Sequence, residues 1–352
     1  MKLLFRSFKF LPRSSLGVDI GTSAIKLVEV SRWGEKRSLK NYGEMQSSVL
    51  YEKPFRTFEK NSLLLSSEDI ARAIRGILIE AKIGTREAVF SLPDFSSFFT
   101  HFDLPQMTQE ELPQAVEFEA RKHVPLPLSE VVFDWQIIED RLQEKRGFQV
   151  LMAAVPREVV NQYEEIARLA NLELKGIEAE VFGCIRSLVQ DPSPIILMDI
   201  GAQSTTVNVV WKKNLRNSHS LDLAGIKFTE RLSQALSVDP KKAEELKKIE
   251  GIAKPEYESI LSPLLDILFT EVQKIAQHFY SSEGREIEKV ILAGGSAFMP
   301  GLISYAEKAL GKPAEVANPF RPIFYPPILE ETLRVAGPSY AVAVGMALRG
   351  LE

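Results

Sequence analysis

The stretch "VDIGTSAIKLVEV" occupies residues 18–30, and "MDIGAQSTTVNVV" occupies residues 198–210. Each copy ends an apolar strand with Asp-Ile-Gly, passes through small hydroxyl or amide residues, and continues as a second β-rich stretch. Glycine allows a tight backbone turn, and the N–H groups of such a turn form a concave nest for anions. The repeat therefore predicts two strand–turn–strand units that offer donors to a phosphate.

An aspartate precedes the glycine of each turn, Asp19 in the first copy and Asp199 in the second. A carboxylate beside a phosphate nest requires a cation between them, so the pair suggests Mg²⁺ held partly through water. The alternative is that both units are plain hairpins whose Asp side chains cap the turn. One copy alone would favour the plain hairpin, whereas one copy in each half favours a shared phosphate site.

A third glycine turn follows an apolar strand in "VILAGGSAFMPGL", residues 290–302. Gly294, Gly295 and Ser296 would let a flat or phosphorylated ligand approach the backbone closely. The turn lacks the spacing of the dinucleotide fingerprint G-x-G-x-x-G and that of the P-loop. Taken alone, it would be interpreted as a tight connection between a strand and a helix.

Size and composition limit the class of protein. A chain of 352 residues is expected to form two domains or two halves with subdomains. The net charge of −4 provides no basic field for nucleic acid. The single cysteine, Cys184, excludes an internal disulfide and a Cys-rich metal site, and its apolar neighbours favour a core position over a nucleophile.

Residues 1–15, "MKLLFRSFKFLPRSS", form a basic and apolar N-terminal tail. Arg6 and Lys9 interrupt its apolar run, which is shorter than the roughly 7–15 residues of a signal-peptide core. We favour a short tail that either packs its Phe side chains or frays. The alternative is that the tail lies on an anionic membrane or partner surface. No apolar stretch approaches the roughly 20 residues that span a bilayer.

The order of predicted elements places a small insertion inside the first half. Residues 88–175 have a strand–helix–strand–strand–helix order, which predicts an inserted α+β unit. Around it we expect the phosphate part of a first lobe at 16–87, a connecting helix at 176–190 and a second lobe at 191–352. A helix capped by Ser66 or Ser67 is predicted at about 67–82, and a long amphipathic helix from Ser262, with Pro263 in its first turn.

The order and spacing of the two phosphate loops and the Gly-Gly loop resemble the actin-like ATPase superfamily, which includes the cell-division protein FtsA. Within it, "SSLGVDIGTSAIKLVEV" and the insertion "LPQMTQEELPQAVEFEARKHVPLPLSEVVFDWQII" resemble the PilM family of type IV pilus assembly proteins, as does "AEELKK". The resemblance covers about Ser15 to Leu351. It implies an α/β, actin-like (FtsA-like) two-lobed fold with two ribonuclease-H-like halves and an inserted 1C-type subdomain.

The resemblance also implies that ATP and Mg²⁺ bind in the cleft between the lobes. The family's first phosphate loop corresponds to Gly21, Thr22, Ser23 and Lys26, and its second to Asp199, Gly201, Gln203 and Ser204. The adenosine loop corresponds to Gly294, Gly295, Ser296 and Met299, while Gly225, Glu244 and Lys247 fall where the family contacts ribose and adenine. Asp19 and Asp199 are the metal candidates, with the metal expected nearer Asp199. Without the family match, Glu244 and Lys247 would belong to a solvated helix face.

Glu180 corresponds to the position where chaperone-type relatives carry a Glu that orients the attacking water. Glu180 and Asp199 are therefore candidate catalytic groups of what would be, at most, a slow ATPase. The alternative for Glu180 is a surface residue that caps the following helix. The chain departs from the family at Ala224, where Gly is usual, and the methyl group is expected to crowd the nucleotide.

The resemblance further implies a role in assembly at the cytoplasmic face of the inner membrane. The family binds the N-terminal cytoplasmic segment of PilN, and communicates indirectly with PilO and the pilus motor ATPases; self-association is a further possibility. Its peptide groove would lie between the first lobe and the inserted subdomain, in the region of about 85–160. Phe95, Phe98 and Phe99 either line that groove or belong to the core, and we favour the core.

Three other classes share the superfamily. An FtsA-like filament former carries a C-terminal amphipathic helix after a linker, whereas this sequence ends at "MALRGLE", directly after the last superfamily helix. A sugar or acetate kinase requires a catalytic base in the first lobe, of which the insertion gives no sign. The type II secretion relative continues into a transmembrane helix, which this sequence does not contain.

Overall fold

The computed structural model describes residues 12–57, 62–140 and 147–352. Residues 1–11, which carry most of the N-terminal tail, lie outside the described residues. The first strand already begins at Arg13 and pairs with Arg32, so residues 13–15 belong to a sheet rather than to the tail.

Strands and helices alternate along both halves. The strands are β1 (Arg13–Ile20), β2 (Ala24–Trp33), β3 (Lys36–Gln46), β4 (Arg56–Thr57), β5 (Ser62–Leu63), β6 (Glu87–Leu92), β7 (Phe98–Leu104), β8 (Val131–Asp140), β9 (Phe148–Pro156), β10 (Glu173–Ala179), β11 (Ile195–Ile200), β12 (Thr205–Trp211), β13 (Asn214–Leu221), β14 (Lys289–Ala293) and β15 (Ala314–Val316). The helices are α1 (Ser47–Leu50), α2 (Ser67–Glu80), α3 (Leu112–His123), α4 (Arg157–Leu169), α5 (Glu180–Leu188), α6 (Gly225–Leu236), α7 (Pro240–Ile249), α8 (Pro255–Glu283), α9 (Leu302–Leu310), α10 (Glu330–Ala336) and α11 (Ala341–Arg349). Within the described ranges, no helix combines the length and apolar character needed to cross a bilayer.

Two five-stranded sheets have the same strand order. The first is β3-β2-β1-β6-β10 and the second is β13-β12-β11-β14-β15. In each, the three strands that come first in sequence are antiparallel neighbours, and the remaining two join in parallel. The two Asp-Ile-Gly stretches end the central strands β1 and β11, so the predicted repeat is a repeat of topology.

A third, antiparallel sheet of order β7-β9-β8 packs one face on α3 and forms the inserted α+β unit. The ends of the 88–175 stretch belong elsewhere: β6 pairs with β1, and α4 packs Tyr163 and Ile166 into the core that holds α2. These contacts suggest narrower bounds for the insertion, between β6 and α4.

Two strands of the first sheet were absent from the sequence predictions. β3 alternates poorly, because most of its residues are polar and only Leu39 is fully buried. β10 occupies the start of the 176–190 stretch that was predicted as helix, and α5 begins only at Glu180. The helix predicted at 67–82 is confirmed as α2, with the Ser66 hydroxyl accepting from the Asp69 N–H.

The prediction that Pro263 opens the long helix was wrong. α8 begins at Pro255, and Pro263 lies in its interior. Tyr257, Leu261 and Leu265 form a buried stripe with helical spacing that runs past this proline into the second core. Burial of that stripe offsets the local cost of the missing N–H, and Pro255 takes the first-turn position instead.

The helices α5 and α11 join the two lobes by a close crossing. α5 leads from the first sheet to the second, and a cluster of buried residues from both sheets surrounds the pair. The backbones approach so closely that a Cβ on Gly345 would lie 2.0 Å from the carbonyl oxygen of Gly183. Cys184 is buried in this crossing, which confirms its core position.

A proline-rich segment, residues 318–327, links the second lobe to the edge of the first sheet. The Leu39 N–H donates to the Phe324 carbonyl oxygen (2.9 Å), and the Phe324 N–H donates to that of Arg37 (2.8 Å). Phe320 and Ile323 are buried against β2 and α11. The segment is therefore an ordered loop.

Candidate functional site

A cleft of about 600 Å³ lies between the two five-stranded sheets. The turns that follow β1, β11 and β14 converge on its walls. The sequence-predicted residues in these walls are Asp19, Gly21, Thr22, Ser23, Lys26, Glu180, Asp199, Gly201, Ser204, Gly225, Glu244, Lys247, Gly294, Gly295, Ser296 and Met299. Gln203 is the predicted residue that the walls do not include; its side-chain oxygen is buried without a partner among the described residues.

The two hairpin turns are built alike. The Gly21 N–H donates to the Ala24 carbonyl oxygen (2.9 Å), and the Gly201 N–H donates to that of Ser204 (3.0 Å). A Cβ on either glycine would lie within 3.0 Å of the oxygen that closes its turn. The residue after each glycine is held by a backbone hydrogen bond. The Thr22 carbonyl oxygen accepts from the Phe55 N–H, and the Ala202 carbonyl oxygen accepts from the Ile226 N–H. Each half thus presents a rigid turn to the cleft.

Carboxylates from both halves face one another across this cleft. Asp19 accepts a hydrogen bond from the Ser91 hydroxyl (2.8 Å). Burial raises the pKa of Asp199 to about 6, and the charge of Asp19 adds to the effect. Among the described residues, no three Asp, Glu, His or Cys side chains converge tightly enough to hold a metal directly. A metal between Asp19 and Asp199 would need water or ligand oxygens to complete its shell.

Sequence reasoning missed Arg56, which forms a buried ion pair with Glu180 (2.6 Å). Burial raises the pKa of Glu180 to about 7, although Arg56 opposes this shift. Glu180 is only 9% exposed, and the side chain that caps α5 is Asp94, which accepts from the Val181 N–H (3.0 Å). These contacts exclude the alternative of a surface Glu that caps the helix.

The pair Glu244 and Lys247 lies at the opposite wall, on α7. The Lys247 ammonium contacts the Glu244 carboxylate (2.6 Å) and donates to the Gly225 carbonyl oxygen (3.0 Å) and the Thr229 hydroxyl (2.9 Å). Burial lowers the pKa of Lys247. The solvated-face alternative therefore does not apply to Lys247, which is 4% exposed, whereas its partner Glu244 is half-buried at the cleft.

The expectation that Ala224 crowds a ligand was wrong. Ala224 is fully buried and lies outside the cleft walls. Gly225 is the residue at the surface of the cleft, where a Cβ would lie 2.6 Å from the Ser296 hydroxyl oxygen. Gly225 thus provides, at the cleft surface, the glycine that close approach of a ligand to the backbone requires.

The turn after β14 is tied to the second hairpin. Gly294 has a φ of +91°, and a Cβ there would lie 2.3 Å from a carboxylate oxygen of Asp199 and 2.5 Å from the Ile200 carbonyl oxygen. The Ser296 N–H donates to that same carbonyl oxygen (3.2 Å). A Cβ on Gly295 would meet nothing within 4 Å.

We therefore expect Gly294→Ala to destabilise the protein by about 2 kcal/mol, through backbone strain and displacement of Asp199. Gly295→Ala is the matched control and should stay within about 0.5 kcal/mol of the wild type. Urea unfolding followed by circular dichroism gives both values. Equal unfolding midpoints for the two variants would contradict the tight contact at Gly294.

A second cavity, of about 340 Å³, lies between the edge strands β7 and β13. The strands meet where His101 Nε2 lies 2.8 Å from the Leu215 carbonyl oxygen. Apolar side chains from the insertion and serines from β13 line the cavity: Phe95, Phe98, Phe99, Val124, Met152, Ser218 and Ser220. The three Phe side chains are half-buried and line the cavity, and Phe98 and Phe99 also pack against the neighbouring cores.

Sequence reasoning also missed other residues in the first cleft. Arg56 lies outside the quoted motifs, whereas Thr206, Lys248 and Phe298 lie within them but were not singled out; all four line the cleft. Thr206 faces Asp199 across the β11–β12 ladder, and its position follows from the hairpin register. That register was the one signal that could have identified it.

Two halves of equal strand order, with a glycine turn from each half in the cleft between them, define an actin-like protein. The structure of MreB5 of Spiroplasma citri bound to ADP shares this fold with a TM-score of 0.51, at 12% identity over 96% of this chain and 95% of that chain. The family model for the type IV pilus assembly protein PilM matches residues 17–351, and this chain belongs to that family.

Two further similarities agree with this assignment. The structure of a PilM–PilN type IV pilus biogenesis complex matches with a TM-score of 0.83, at 28% identity, over 96% of this chain and 98% of that chain. The cell division protein FtsA of Streptococcus pneumoniae serotype 2 (strain D39) is 21% identical over 84% of this chain and 73% of its own length. The predicted actin-like, FtsA-like fold is thereby confirmed.

Proposed function

We propose that this pilus assembly protein binds ATP with Mg²⁺ in the cleft and the N-terminal cytoplasmic segment of PilN in a groove of the insertion. The observation that carries the proposal is the convergence of three glycine turns, from both halves, on one cleft. The protein would link the inner-membrane PilN and PilO proteins to the pilus motor from the cytoplasmic face. Self-association that stops short of a filament belongs to the same proposal.

The cleft residues suit a bound nucleotide. Backbone N–H groups of the Gly21 and Gly201 turns would cradle the phosphates from opposite sides, with Lys26 supplying a cation. Gly225 and Gly294 leave room for the adenosine, beside the buried Lys247. Asp19 and Asp199 would hold Mg²⁺ through water, and the metal would neutralise phosphate charge. Glu180 is already engaged by Arg56, which favours nucleotide binding over rapid hydrolysis.

The second cavity suits an extended peptide. It lies between two edge strands, each of which has backbone groups available for an added strand. Phe95, Phe98 and Phe99 provide apolar contacts from the 85–160 region, while Ser218 and Ser220 of β13 form the facing wall. The PilM–PilN complex among the similar structures supports a peptide partner of this kind.

Isothermal titration of the wild type with Mg-ATP, and with a synthetic PilN N-terminal peptide, tests the proposal. We expect both ligands to bind. Asp199→Ala should weaken Mg-ATP by about 100-fold or more, because it removes the outer-sphere metal ligand nearest the second turn, yet retain the peptide. A wild type that binds neither ligand would refute the proposed function.

An FtsA-like filament former is the second candidate, because the FtsA match extends over most of this chain. Sedimentation with and without Mg-ATP separates the two. Nucleotide-dependent pelleting of the chain alone, without PilN peptide, would favour the filament former.

A further inference from the structure

Arg56 lies where the inserted unit leaves and rejoins the first lobe. Phe95 belongs to the single 3₁₀ turn, Asp94–Ser96, that leads from β6 into β7. The Arg56 guanidinium lies 5.2 Å from the centroid of its ring. On the other side, the charge of Arg56 acts on the buried hydroxyl of Tyr163, which belongs to α4, the helix that follows the insertion. Arg56 thus lies against the entry to the insertion and within electrostatic reach of the helix that follows it.

The same guanidinium also belongs to the cleft wall. Its Nη2 atom donates to the Glu180 carboxylate (2.6 Å), and Arg56 is among the residues that line the cleft. Nε and Nη1 are buried and have no hydrogen-bond partner among the described residues. Buried guanidinium donors normally find partners, so an anion that enters the cleft can engage these two.

A second contact joins the cleft to the same turn. Asp94 caps α5 through the Val181 N–H, next to Glu180 in the chain. Asp94 and Phe95 also line the second cavity. Two contacts therefore connect the cleft to the wall of the second cavity. A shift of Glu180 is transmitted through the Asp94 carboxylate, and a shift of Arg56 is transmitted through the Phe95 ring.

We propose that Arg56 is a positioning residue that couples the nucleotide cleft to the second cavity through Phe95. The coupling rests on the proposed function, because it needs a ligand in each site. A phosphate group near Glu180 competes for the guanidinium, whose flat face then changes its position over Phe95. Phe95 in turn changes the width of the cavity, so the two ligands bind with mutual dependence.

The experiment is the affinity of the PilN N-terminal peptide, measured with saturating Mg-ATP and without nucleotide. In the wild type we expect the two affinities to differ by about fivefold or more. Arg56→Met should bring this ratio to within about twofold of one. Arg56→Lys keeps a cation beside Glu180 but lacks the planar face, so it should bind Mg-ATP while the ratio still falls.

Two variants separate coupling from folding. Phe95→Leu leaves the Arg56–Glu180 pair intact. It should bring the ratio of the two peptide affinities close to one, and this test remains available even if Arg56→Met does not fold. Phe99→Leu is the matched control: it also alters a Phe of the cavity, but Phe99 packs on Phe182 instead of Arg56. It should weaken the peptide equally with and without nucleotide.

The outcomes are distinguishable from those of the proposed function. A wild type that binds neither ligand removes the proposed function and this inference together. A wild type that binds both with a ratio of one, or a ratio that survives in Phe95→Leu and Arg56→Lys, overturns only the coupling through Arg56.

Discussion

Gly345→Ala is expected to lower the free energy of unfolding by about 3 kcal/mol or more, because overpacking at a rigid contact strains the backbone. A methyl group there would lie 2.0 Å from the Gly183 carbonyl oxygen and 2.4 Å from its Cα. Both neighbours are backbone atoms of α5, so no side-chain rotation can relieve the contact. The helices would have to separate, and every residue from Ala341 to Leu348 is buried around them.

Thermal and urea unfolding measure this effect. Gly84→Ala is the matched control, since a Cβ on Gly84 meets nothing within 4 Å. Because α5 and α11 connect the lobes, separation of these helices should also weaken any ligand that contacts both lobes. An unfolding midpoint for Gly345→Ala equal to that of Gly84→Ala would show that the crossing is looser than the structure indicates.

Asp199→Asn should stabilise the ligand-free protein at pH 8 while it weakens Mg-nucleotide binding by about 100-fold. Burial raises the pKa of Asp199 to about 6 from its ordinary value of 3.8. Between pH 4 and 6 the folded state therefore binds more protons than the unfolded state, and the free energy of unfolding falls as the pH rises. Above pH 6 the ionised, buried Asp199 carboxylate still lowers the free energy of unfolding. After a discount for its partial contact with solvent in the cleft, this destabilisation is about 2 kcal/mol.

The asparagine variant lacks this pH dependence. Urea unfolding should give nearly equal stabilities for variant and wild type at pH 4, and a more stable variant at pH 8. Asp222→Asn, the same change at an exposed position, should follow the wild type at both pH values. If Asp199→Asn is no more stable than the wild type at pH 8, the carboxylate is better solvated than its position indicates. The trade of stability for binding is typical of functional sites.

The hairpin turns could be predicted from sequence because everything that forms them is local. Gly21 and Gly201 close their turns within three residues, and Gly294 follows its strand directly. The equal strand order of the halves then brings these three turns together. Gln203 shows the limit of residue-by-residue transfer: the turn forms, but this side chain is outside the cleft walls.

Arg56 could not be predicted, because it belongs to no motif and its partner Glu180 lies 124 positions away in the chain. β3 escaped prediction because its pairing with β2 supplies the order that its polar residues do not indicate. At Pro263 a strong local rule was overridden by the buried face of α8. In each case tertiary contacts outweighed a local preference.

The proline-rich segment also bears on how copies of this chain can meet. An exposed edge strand is a template on which another chain can add a strand. At Arg37–Leu39 the template is already used by Phe324 of the chain's own second lobe. Pro322 and Pro326 flank that residue and have no N–H to extend the ladder outward. At this end of β3 the fold itself therefore occupies the positions that another chain would need in order to add a strand.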